Sequence, residues 1–585
     1  MGSIEFSRRA FLGLGATAAV AAGAGLAGCA PQQSASADKG ADAGSTGAAS
    51  SSVSPTNYKP DFLTPPAVPT DVKEEKDCDV LVIGMGLAGT AAAKEAAEAG
   101  KKVIVLEKQP KDSYSVISMA GDFGVVGSKI QKDLGIEWAP KADIMNEYVK
   151  ETGGRCDTWM MSYWYDHSGE DFDWLIEASD CEVLPTSATP ASGEKECVIR
   201  PKCYPVLEGY DRSSELFPYF NGTVTTEPSV GWCMESCQQI AEGKGAELMF
   251  GMFAEQLIKD DKGAVTGAYV RDSKGVYTQI NASKGVVLCC GDISGNPDML
   301  YYYVPWVEGI APFYPNVDVE GNVANTGDGH RMGMWAGGHM ELGPLAPMTH
   351  HMGGALGVDA FLQLNVRGER FMNEDIPGQN IQDQLSRQPE ARSFQIIDAK
   401  WPEQLACQGT GHGFVNYFVP EDEADQWPAV VGKDASASFT GYTTEQMFLD
   451  AITYQADTIE DLAKQMGLPK DAVVASVERY NELAHQGSDD DFGKRADRLF
   501  PLETPPFYAC EFGDAGMLVC MGGLECDLDL HVVDDDKNPI PGLYVAGNTM
   551  GGRYAVEYPV TEAGISLATA MTFGRLAGVN AAAGL

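Results

Sequence analysis

The sequence has few basic residues, no haem-attachment motif and no long apolar run after its N-terminal segment. Its 585 residues include 42 Lys and Arg against 83 Asp and Glu, a formal net charge of −41. This acidic excess, without a basic stripe, argues against nucleic acid as a partner. No Cys-x-x-Cys-His occurs, so no c-type haem is expected on the chain. No later run reaches roughly 18 apolar residues, so no membrane-spanning helix is expected.

The cysteines also lack a recognisable metal-binding pattern. Cys233 and Cys237 are separated by three residues, which does not match the common zinc or iron–sulfur spacings. We therefore predict no metal site and expect buried or free thiols, with a bound cluster as the alternative.

The N-terminus has the features of a targeting segment. Residues 7–12, SRRAFL, resemble the twin-arginine export motif, and residues 26–29, LAGC, resemble a lipobox ending at Cys29. Residues 1–29 are therefore expected to be a signal and residues 30–76 a flexible, Ser/Ala/Gly-rich tether. We expect an exported protein with a lipid anchor at Cys29, at the outer face of the cytoplasmic membrane or in the periplasm. A plain signal peptide with an incidental cysteine is the alternative.

The clearest chemical signal is a strand–turn–helix–strand pattern in residues 78–108. The apolar run 80–83 predicts a buried strand, followed by Gly84, Gly86 and Gly89 and an Ala-rich helix. In this context Gly84 permits the tight turn, Gly86 lets backbone amides approach a pyrophosphate, and Gly89 lets the helix pack closely on the strand. Glu107 ends the second strand, where a carboxylate suits a ribose diol. The pattern predicts a bound dinucleotide.

Further motifs follow in a fixed order along the chain. They are GMGLAG with Glu107, VVLCCGD, NTGDGHRMGMWAGG, LNVRGERFMNE and GLYVAGN…AMTFGRLAG. Together they resemble the flavoprotein family of soluble fumarate reductases and 3-ketosteroid dehydrogenases, over about residues 77–580. The resemblance implies an α/β fold: a Rossmann-like FAD-binding domain (77–345 and 517–585) split by an inserted α+β capping domain (346–516). Because no covalent-attachment signature occurs, we expect non-covalent FAD.

The resemblance also carries over a set of flavin contacts, among which the acidic residues are expected on the adenosine and ribitol side. These residues are Gly84, Gly86, Leu87, Ala88, Gly89, Glu107, Ser118, Gly121, Ala254, Gly291, Asp328, Gly547, Asn548, Gly564, Ile565, Ser566 and Leu567.

Three departures from the fumarate reductases bear on the substrate. Gly378 stands where those enzymes have the proton-delivering arginine, and Val519-Cys520 stands where a substrate-binding histidine precedes Met-Gly-Gly. Tyr558 replaces the second carboxylate-binding arginine. Because a dicarboxylate needs paired cations in a dry site, fumarate is not the expected substrate.

Tyr558 followed by Pro559 resembles the ketosteroid dehydrogenases, in which the tyrosine hydrogen-bonds a substrate ketone. A tyrosine merely packed beneath the flavin is the alternative. Those dehydrogenases have a base tyrosine where Gly378 again stands, so another group must move the proton. On a helical turn Tyr554 and Tyr558 would share a face. The remaining candidates are Tyr554, Glu557, Glu562, Arg553, His350 and His351.

We therefore predict an exported FAD-dependent reductase of a carbon–carbon double bond conjugated to a carbonyl. By resemblance, hydride comes from flavin N5, and a tyrosine or carboxyl group supplies the proton. Aromatic residues in 301–320 and 401–420 favour an uncharged, bulky substrate. The electron donor is expected to be a separate membrane cytochrome or quinol-linked protein. A ketosteroid-like dehydrogenase working in the oxidative direction, or a flavin electron-transfer protein, are the alternatives.

Overall fold

The fold is seen in a computed structural model of the chain. It describes residues 60–112, 122–179, 181–185, 213, 216–218, 220, 222–227, 230–307, 310–312, 316–352, 360–404, 448–449, 452–559 and 561–585. Asp61–Leu585 forms one folded unit. Among the helices described, none combines the length and the apolar character needed to cross a bilayer.

Strands and helices alternate in the first part of the chain, as the sequence predicts. The strands are β1 Val72–Ile83, β2 Val103–Glu107, β3 Asp122–Gly124, β4 Glu182–Pro185, β5 Thr223–Glu227, β6 Glu247–Phe250, β7 Met252–Lys259, β8 Val265–Asp272, β9 Tyr277–Leu288, β10 Ala311–Pro312, β11 Ala346–Met352, β12 Leu362–Asn365, β13 Ser393–Ile397, β14 Tyr454–Ala456, β15 Phe507–Phe512, β16 Asp514–Met521, β17 His531–Val533 and β18 Pro539–Val545. The α-helices are α1 Leu87–Glu98, α2 Lys129–Asp133, α3 Lys141–Glu151, α4 Thr158–Glu177, α5 Val230–Gly243, α6 Pro297–Tyr303, α7 Asp328–Trp335, α8 Gly378–Leu385, α9 Trp401–Gln404, α10 Ile459–Met466, α11 Lys470–Gln486 and α12 Ile565–Ala583.

The central sheet has the order β17-β18-β9-β1-β2-β6, with β7 and β8 added through β9. Strands β1, β2, β6, β9 and β18 run parallel, with Val80 opposite Val103 on one side and Gly285 on the other. The first four residues of β2 and the last four residues of β1 and of β9 are apolar and buried, as expected for parallel strands covered on both faces. This is the α/β, Rossmann-like fold that the sequence indicated.

The C-terminal helix α12 packs closely against α1. A Cβ at Gly574 would lie 2.4 Å from the Ala88 carbonyl oxygen, and one at Gly578 would lie 2.6 Å from that of Ala92. Only glycines allow this approach, because a side chain would force the two helices apart. The contact brings the N-terminus of α12 to the same edge of the sheet as the N-terminus of α1.

The folded unit begins earlier than the sequence analysis placed it. Strand β1 starts at Val72 and pairs with β9 from that residue onward, and a 3-10 helix at Asp61–Leu63 precedes it. Part of the segment assigned to the tether, 61–76, therefore belongs to the fold. The charged residues in 73–77 disguised this strand in the sequence, since its first half is exposed and lacks apolar alternation.

A second sheet and a second hydrophobic core lie within the segment predicted as the cap. The antiparallel sheet β12-β13-β15-β14 is covered by α10 and α11, with a core that includes Leu364, Phe394, Leu462 and Val477. Strands β11 and β16 pair antiparallel. The predicted boundaries, 346 and 516, fall on these two strands, through which the chain enters and leaves the inserted segment.

A buried ionic cluster braces this inserted segment. The Arg370 guanidinium donates to both oxygens of Glu374, at 2.9 Å each, and to both oxygens of Asp489, at 3.0 and 2.8 Å. The ammonium of Lys494 lies 3.2 Å from Glu374. Burial opposes ionisation of both acids, but Arg370 and Lys494 outweigh it: the pKa of Glu374 is lowered, and Arg370 brings that of Asp489 to about 2.

We expect Arg370→Met to cost on the order of 3–5 kcal/mol of unfolding free energy, because it leaves two buried carboxylates short of a cation. The exposed pair Arg479–Asp491 gives a control, since solvent screens it and Arg479→Met should change the unfolding free energy little. Denaturant unfolding of both variants measures the difference. Equal costs for the two variants would contradict a bracing role.

The same cluster makes stability depend on pH. Asp489 stabilises the fold above its unfolded pKa of 3.8, and that contribution is lost as pH falls towards about 2.

Candidate functional site

A cavity of about 930 Å³ opens at the carboxyl ends of the parallel strands. This is the edge at which doubly wound sheets bind their ligands. The walls come from the turns after β1, β2, β9 and β18 and from the N-termini of α1, α7 and α12. Twelve of the predicted cofactor residues line it: Gly84, Gly86, Leu87, Ala88, Glu107, Ala254, Gly291, Asp328, Gly547, Asn548, Ser566 and Leu567.

The three glycines of the first turn have three different surroundings. Gly84 has φ +97°, and a Cβ there would lie 2.1 Å from the Cys289 carbonyl oxygen. A Cβ at Gly89 would lie 1.9 Å from the carbonyl oxygen of Gly84, so Gly89 packs the helix against the turn. Gly86 has no heavy atom within 4 Å of its Cβ position and faces the cavity. The first and third glycines therefore serve the fold, whereas the second leaves space for a ligand.

The N-terminus of α1 offers unpaired amides to the cavity. Its N-cap, Gly86, has no side chain to cap the helix, and the amides of Gly86, Leu87 and Ala88 have no acceptor among the described residues. Beside them, Glu107 accepts hydrogen bonds from the amides of Met85, at 3.0 Å, and Gln109, at 2.9 Å. Burial raises the pKa of Glu107. Free amides beside a carboxylate fit a pyrophosphate joined to a ribose.

A second acid, Asp328, begins α7 on the cavity wall. It accepts from Lys108 Nζ at 2.6 Å and from Thr326 Oγ1 at 3.0 Å, and it pairs with Arg331. Burial opposes its ionisation, but the charges of Lys108 and Arg331 outweigh that effect and lower its pKa. The sequence analysis missed Lys108 and Arg331, although Lys108 directly follows Glu107. Asp328 is thus a carboxylate held in place by its partners, and it can accept a hydrogen bond from a hydroxyl group of a ligand.

The N-terminus of α12 lies at another part of the cavity wall. The amide of Leu567, a lining residue, has no acceptor among the described residues. The amide of Ser566 donates to the phenol oxygen of Tyr558 at 3.3 Å. Burial raises the pKa of Tyr558, so its phenol is neutral at pH 7. Tyr558 is therefore next to a cavity-lining residue and can donate a proton or a hydrogen bond.

Tyr554 joins the same cluster, but not through a helical turn. Residues 551–559 are irregular, with Val556 at φ +71°, so a helical turn carrying Tyr554 and Tyr558 on one face is wrong. The two rings nevertheless meet edge to face, with centroids 5.3 Å apart. The Tyr554 hydroxyl lies 3.0 Å from Thr569 Oγ1 on α12, and burial raises its pKa.

A third phenol, Tyr148 on α3, lies near these groups and was missed by the sequence analysis. Its side chain is fully buried, and its hydroxyl has no hydrogen-bond partner among the described residues. Burial raises its pKa most, and the charges of Tyr554, Glu562 and Tyr558 add to the effect. No local pattern signals Tyr148, because the chain brings α3 to this cluster only through its tertiary fold.

The other proton-donor candidates are more dispersed. Glu562 is buried beside Gly222, the residue before β5, and a Cβ at Gly222 would lie 2.2 Å from the Glu562 Oε1. The pKa of Glu557 is raised well above its usual value by burial and by Asp383, with which it shares a hydrogen bond. His350 is in β11, opposite Gly516 of β16. Their catalytic roles stay predictions.

Five predicted cofactor residues do not line the cavity as described. Ser118 and Gly121 lie outside the described residues. Gly89, Gly564 and Ile565 lie behind the wall: Gly564 is the N-cap of α12 at φ +78°, where a Cβ would meet the Asp122 carbonyl oxygen at 2.4 Å, and Ile565 is fully buried. These three residues shape the turns rather than face the cavity.

A family model described as an FAD binding domain, FAD_binding_2, matches residues 79–565. The chain belongs to this FAD-binding family. The cavity agrees with it, since unpaired amides at two helix N-termini, an open Cβ position at Gly86 and two acids on the wall suit a dinucleotide with a flavin. The residues expected to hold FAD are those already named as lining the cavity.

Curated relatives match most of this FAD-binding chain. Vinyl phenol reductase of Lactiplantibacillus plantarum is 27% identical over 86% of this chain and 96% of its own length. Digoxin reductase of Eggerthella lenta is 27% identical over 100% of this chain and 97% of its own. The 3-ketosteroid-Δ4-(5α)-dehydrogenase of Rhodococcus jostii has a similar fold, with a TM-score of 0.65 and 23% identity over 88% of this chain and 99% of its own. The protein is an FAD-dependent oxidoreductase.

In this flavoprotein, uncharged residues occupy two of the positions at which the sequence differs from the fumarate reductases. Gly378 begins α8, and Cys520 is fully buried in β16, where burial raises its pKa well above the usual value. Arg370 and Glu374 bind each other inside the inserted segment. Of the aromatic residues predicted to favour a bulky substrate, Trp401 stacks on Phe448 and Tyr302 packs against Phe62. Residues 405–420 lie outside the described residues. An aromatic substrate pocket stays a prediction.

Proposed function

We propose that this protein reduces a carbon–carbon double bond conjugated to a carbonyl, in a substrate without a dicarboxylate. The observation that carries the proposal is the position of Tyr558. Its neutral phenol accepts from the amide of Ser566, a cavity-lining residue, and by resemblance to the fumarate reductases it stands where those enzymes have a cation. Relatives named as vinyl phenol and digoxin reductases support this chemistry.

The chemistry divides between the cofactor and the chain. Reduced FAD, when bound, supplies the hydride that adds to the β-carbon of the alkene. Tyr558 donates a hydrogen bond to the substrate carbonyl, where negative charge develops as the hydride adds. The same phenol, or a half-buried carboxyl such as Glu557, protonates the adjacent carbon. Glu557 suits this step because burial and Asp383 raise its pKa well above the usual value, which favours the protonated form.

The substrate follows from which charges are absent. By resemblance to the fumarate reductases, Cys520 and Tyr558 stand at positions that bind the dicarboxylate and Gly378 at the position of the proton-delivering arginine, and none of the three offers a cation. A buried carboxylate without a cation is costly, so the site favours a neutral enone or an uncharged phenylpropenoid. The chain carries no haem motif, and we propose that a separate membrane cytochrome or quinol-linked protein reduces its FAD.

The test is anaerobic reoxidation of the reduced holoenzyme, followed by the recovery of oxidised-flavin absorbance. We expect rapid reoxidation by an enone, a cinnamate ester or a vinyl phenol, and slow reoxidation by fumarate. If saturated ketones instead bleach the oxidised enzyme, the protein is a dehydrogenase. Equally fast reoxidation by fumarate would contradict the substrate class.

We also propose that the protein is exported and anchored at Cys29. In cell fractionation, Arg8→Lys with Arg9→Lys should retain the protein in the cytoplasm while preserving both positive charges. Cys29→Ser should move the exported protein from the membrane to the soluble fraction. Membrane attachment of the Cys29→Ser protein would contradict the anchor.

A further inference from the structure

Arg553 is a fully buried cation with neutral partners only. It is 1% exposed, and its guanidinium donates to Thr569 Oγ1 at 3.0 Å, to Asn548 Oδ1 at 3.1 Å and to Met521 Sδ at 3.9 Å. Its Nε has no hydrogen-bond partner, and no carboxylate among the described residues lies within 4 Å. Burial lowers its pKa, but an arginine stays protonated at neutral pH.

A buried charge without a counter-ion destabilises a fold, so its presence calls for a ligand or a function. Glu341 is the carboxyl group with the largest charge effect on Arg553, but it accepts hydrogen bonds from the amides of Gly552, at 2.7 Å, and Gly523, at 3.1 Å. Burial raises the pKa of Glu341 to about 7. The chain itself therefore leaves the positive charge of Arg553 only partly compensated.

Asn548 connects this cation to the cavity. Arginine has no acceptor atom, so the Asn548 oxygen must face Arg553 and its amide nitrogen must point elsewhere. Asn548 lines the cavity, and its Nδ2 donates to no described residue. Arg553 thereby fixes the amide in the orientation that presents N–H groups to a ligand.

The surroundings place this pair at the flavin part of the cavity. Glu107 marks the ribose of the adenosine, and the α1 amides mark the pyrophosphate. The part of the wall formed by the N-terminus of α12 includes Ser566 and Leu567, with Asn548 also on the wall, and Thr569, the other partner of Arg553, is on the same turn of α12. The flavin is the part of FAD that remains for this wall.

We propose that Arg553 is the counter-charge of reduced FAD, acting through its own field and through the Asn548 amide. Uptake of two electrons and one proton from the donor leaves one additional negative charge on FAD, and Arg553 balances it. The residue thus raises the reduction potential and favours electron transfer into the protein. The inference rests on FAD binding by the family and does not depend on the substrate.

The experiment measures the two-electron reduction potential of the purified holoenzyme by dye equilibration with dithionite. We expect Arg553→Met to lower the equilibrium constant for reduction at least tenfold, which is about 30 mV for a two-electron couple. Arg553→Lys should keep a potential closer to that of the unaltered protein, because it keeps the charge. Arg479→Met removes an exposed cation and should leave the potential unchanged.

A second readout needs no bound FAD. Arg553→Met should raise the melting temperature of the apoprotein, because it removes an under-compensated buried charge, and should reduce the additional stabilisation that FAD provides. If that variant yields no holoenzyme, Asn548→Asp, which replaces the amide donor by an acceptor, should also lower the potential. An unchanged reduction potential in Arg553→Met would overturn the proposal. If only Asn548→Asp gives holoenzyme, an unchanged reduction potential in that variant would overturn it.

Discussion

Gly86→Val will fold as an apoprotein but lose FAD, whereas Gly89→Val will yield little or no folded protein. Gly86 has φ −67° and an open Cβ position, so the apoprotein tolerates a side chain there. That side chain enters the cavity where the α1 amides must approach the pyrophosphate. Steric costs of about 1–3 kcal/mol correspond to a loss of affinity of roughly 5- to 150-fold. At Gly89, by contrast, a Cβ would lie 1.9 Å from the backbone oxygen of Gly84.

Two measurements separate these outcomes. Circular dichroism melts of the apoproteins report the fold, and fluorescence titration with FAD reports the affinity. Gly86→Val should melt near the unaltered apoprotein and bind FAD weakly, while Gly89→Val should fail the first measurement. Tight FAD binding by Gly86→Val would show that the cofactor does not approach this turn.

Tyr558→Phe is expected to reduce the rate of substrate-dependent flavin reoxidation by roughly 10²- to 10³-fold, as removal of a donor to a developing oxyanion does. The phenylalanine keeps the ring that packs on Tyr554, so FAD content and melting temperature should stay unchanged. Chemical reduction of the flavin should also be unaffected. Stopped-flow reoxidation with the best substrate of the panel measures the effect.

Tyr165→Phe is the matched control for this prediction. Its hydroxyl donates to the carbonyl oxygen of Ala139 at 2.8 Å, and Ala139, unlike the Tyr558 partner Ser566, does not line the cavity. It should reoxidise at the normal rate. A normal rate in Tyr558→Phe would place the hydrogen bond or proton elsewhere, with Tyr554 and Glu557 as the remaining groups. The phenol should not limit the rate below about pH 10, because burial raises its pKa.

The cofactor half of the protein could be read from local sequence. Gly84, Gly86 and Gly89 lie within one turn, and the roles predicted for Gly84 and Gly89, the tight turn and the close packing, are borne out by their contacts. Twelve of the predicted cofactor residues line one cavity because parallel strands bring their carboxyl ends to one edge. The start of the fold was misplaced, since the first half of β1 is exposed and charged.

The proton-donor side could not be read in the same way. Tyr554 and Tyr558 were expected on a helical turn, but they meet across an irregular segment that only the surrounding packing holds. The role proposed for Arg553 depends on its contact with Thr569 and on the lack of a carboxylate within 4 Å among the described residues, neither of which the local sequence reveals.

The sequence by itself determined the fold class, the dinucleotide cavity and the three uncharged positions that distinguish this chain from fumarate reductases. Turn geometry, strand patterning and residue type act over a few residues and are therefore visible in a single chain. Only the tertiary structure decided which distant groups become neighbours, as when Thr561 hydrogen-bonds Glu151 across 410 residues. Desolvation and charge pairing, which set the pKa values of Tyr558, Glu557 and Arg553, arise only once such distant segments are packed together.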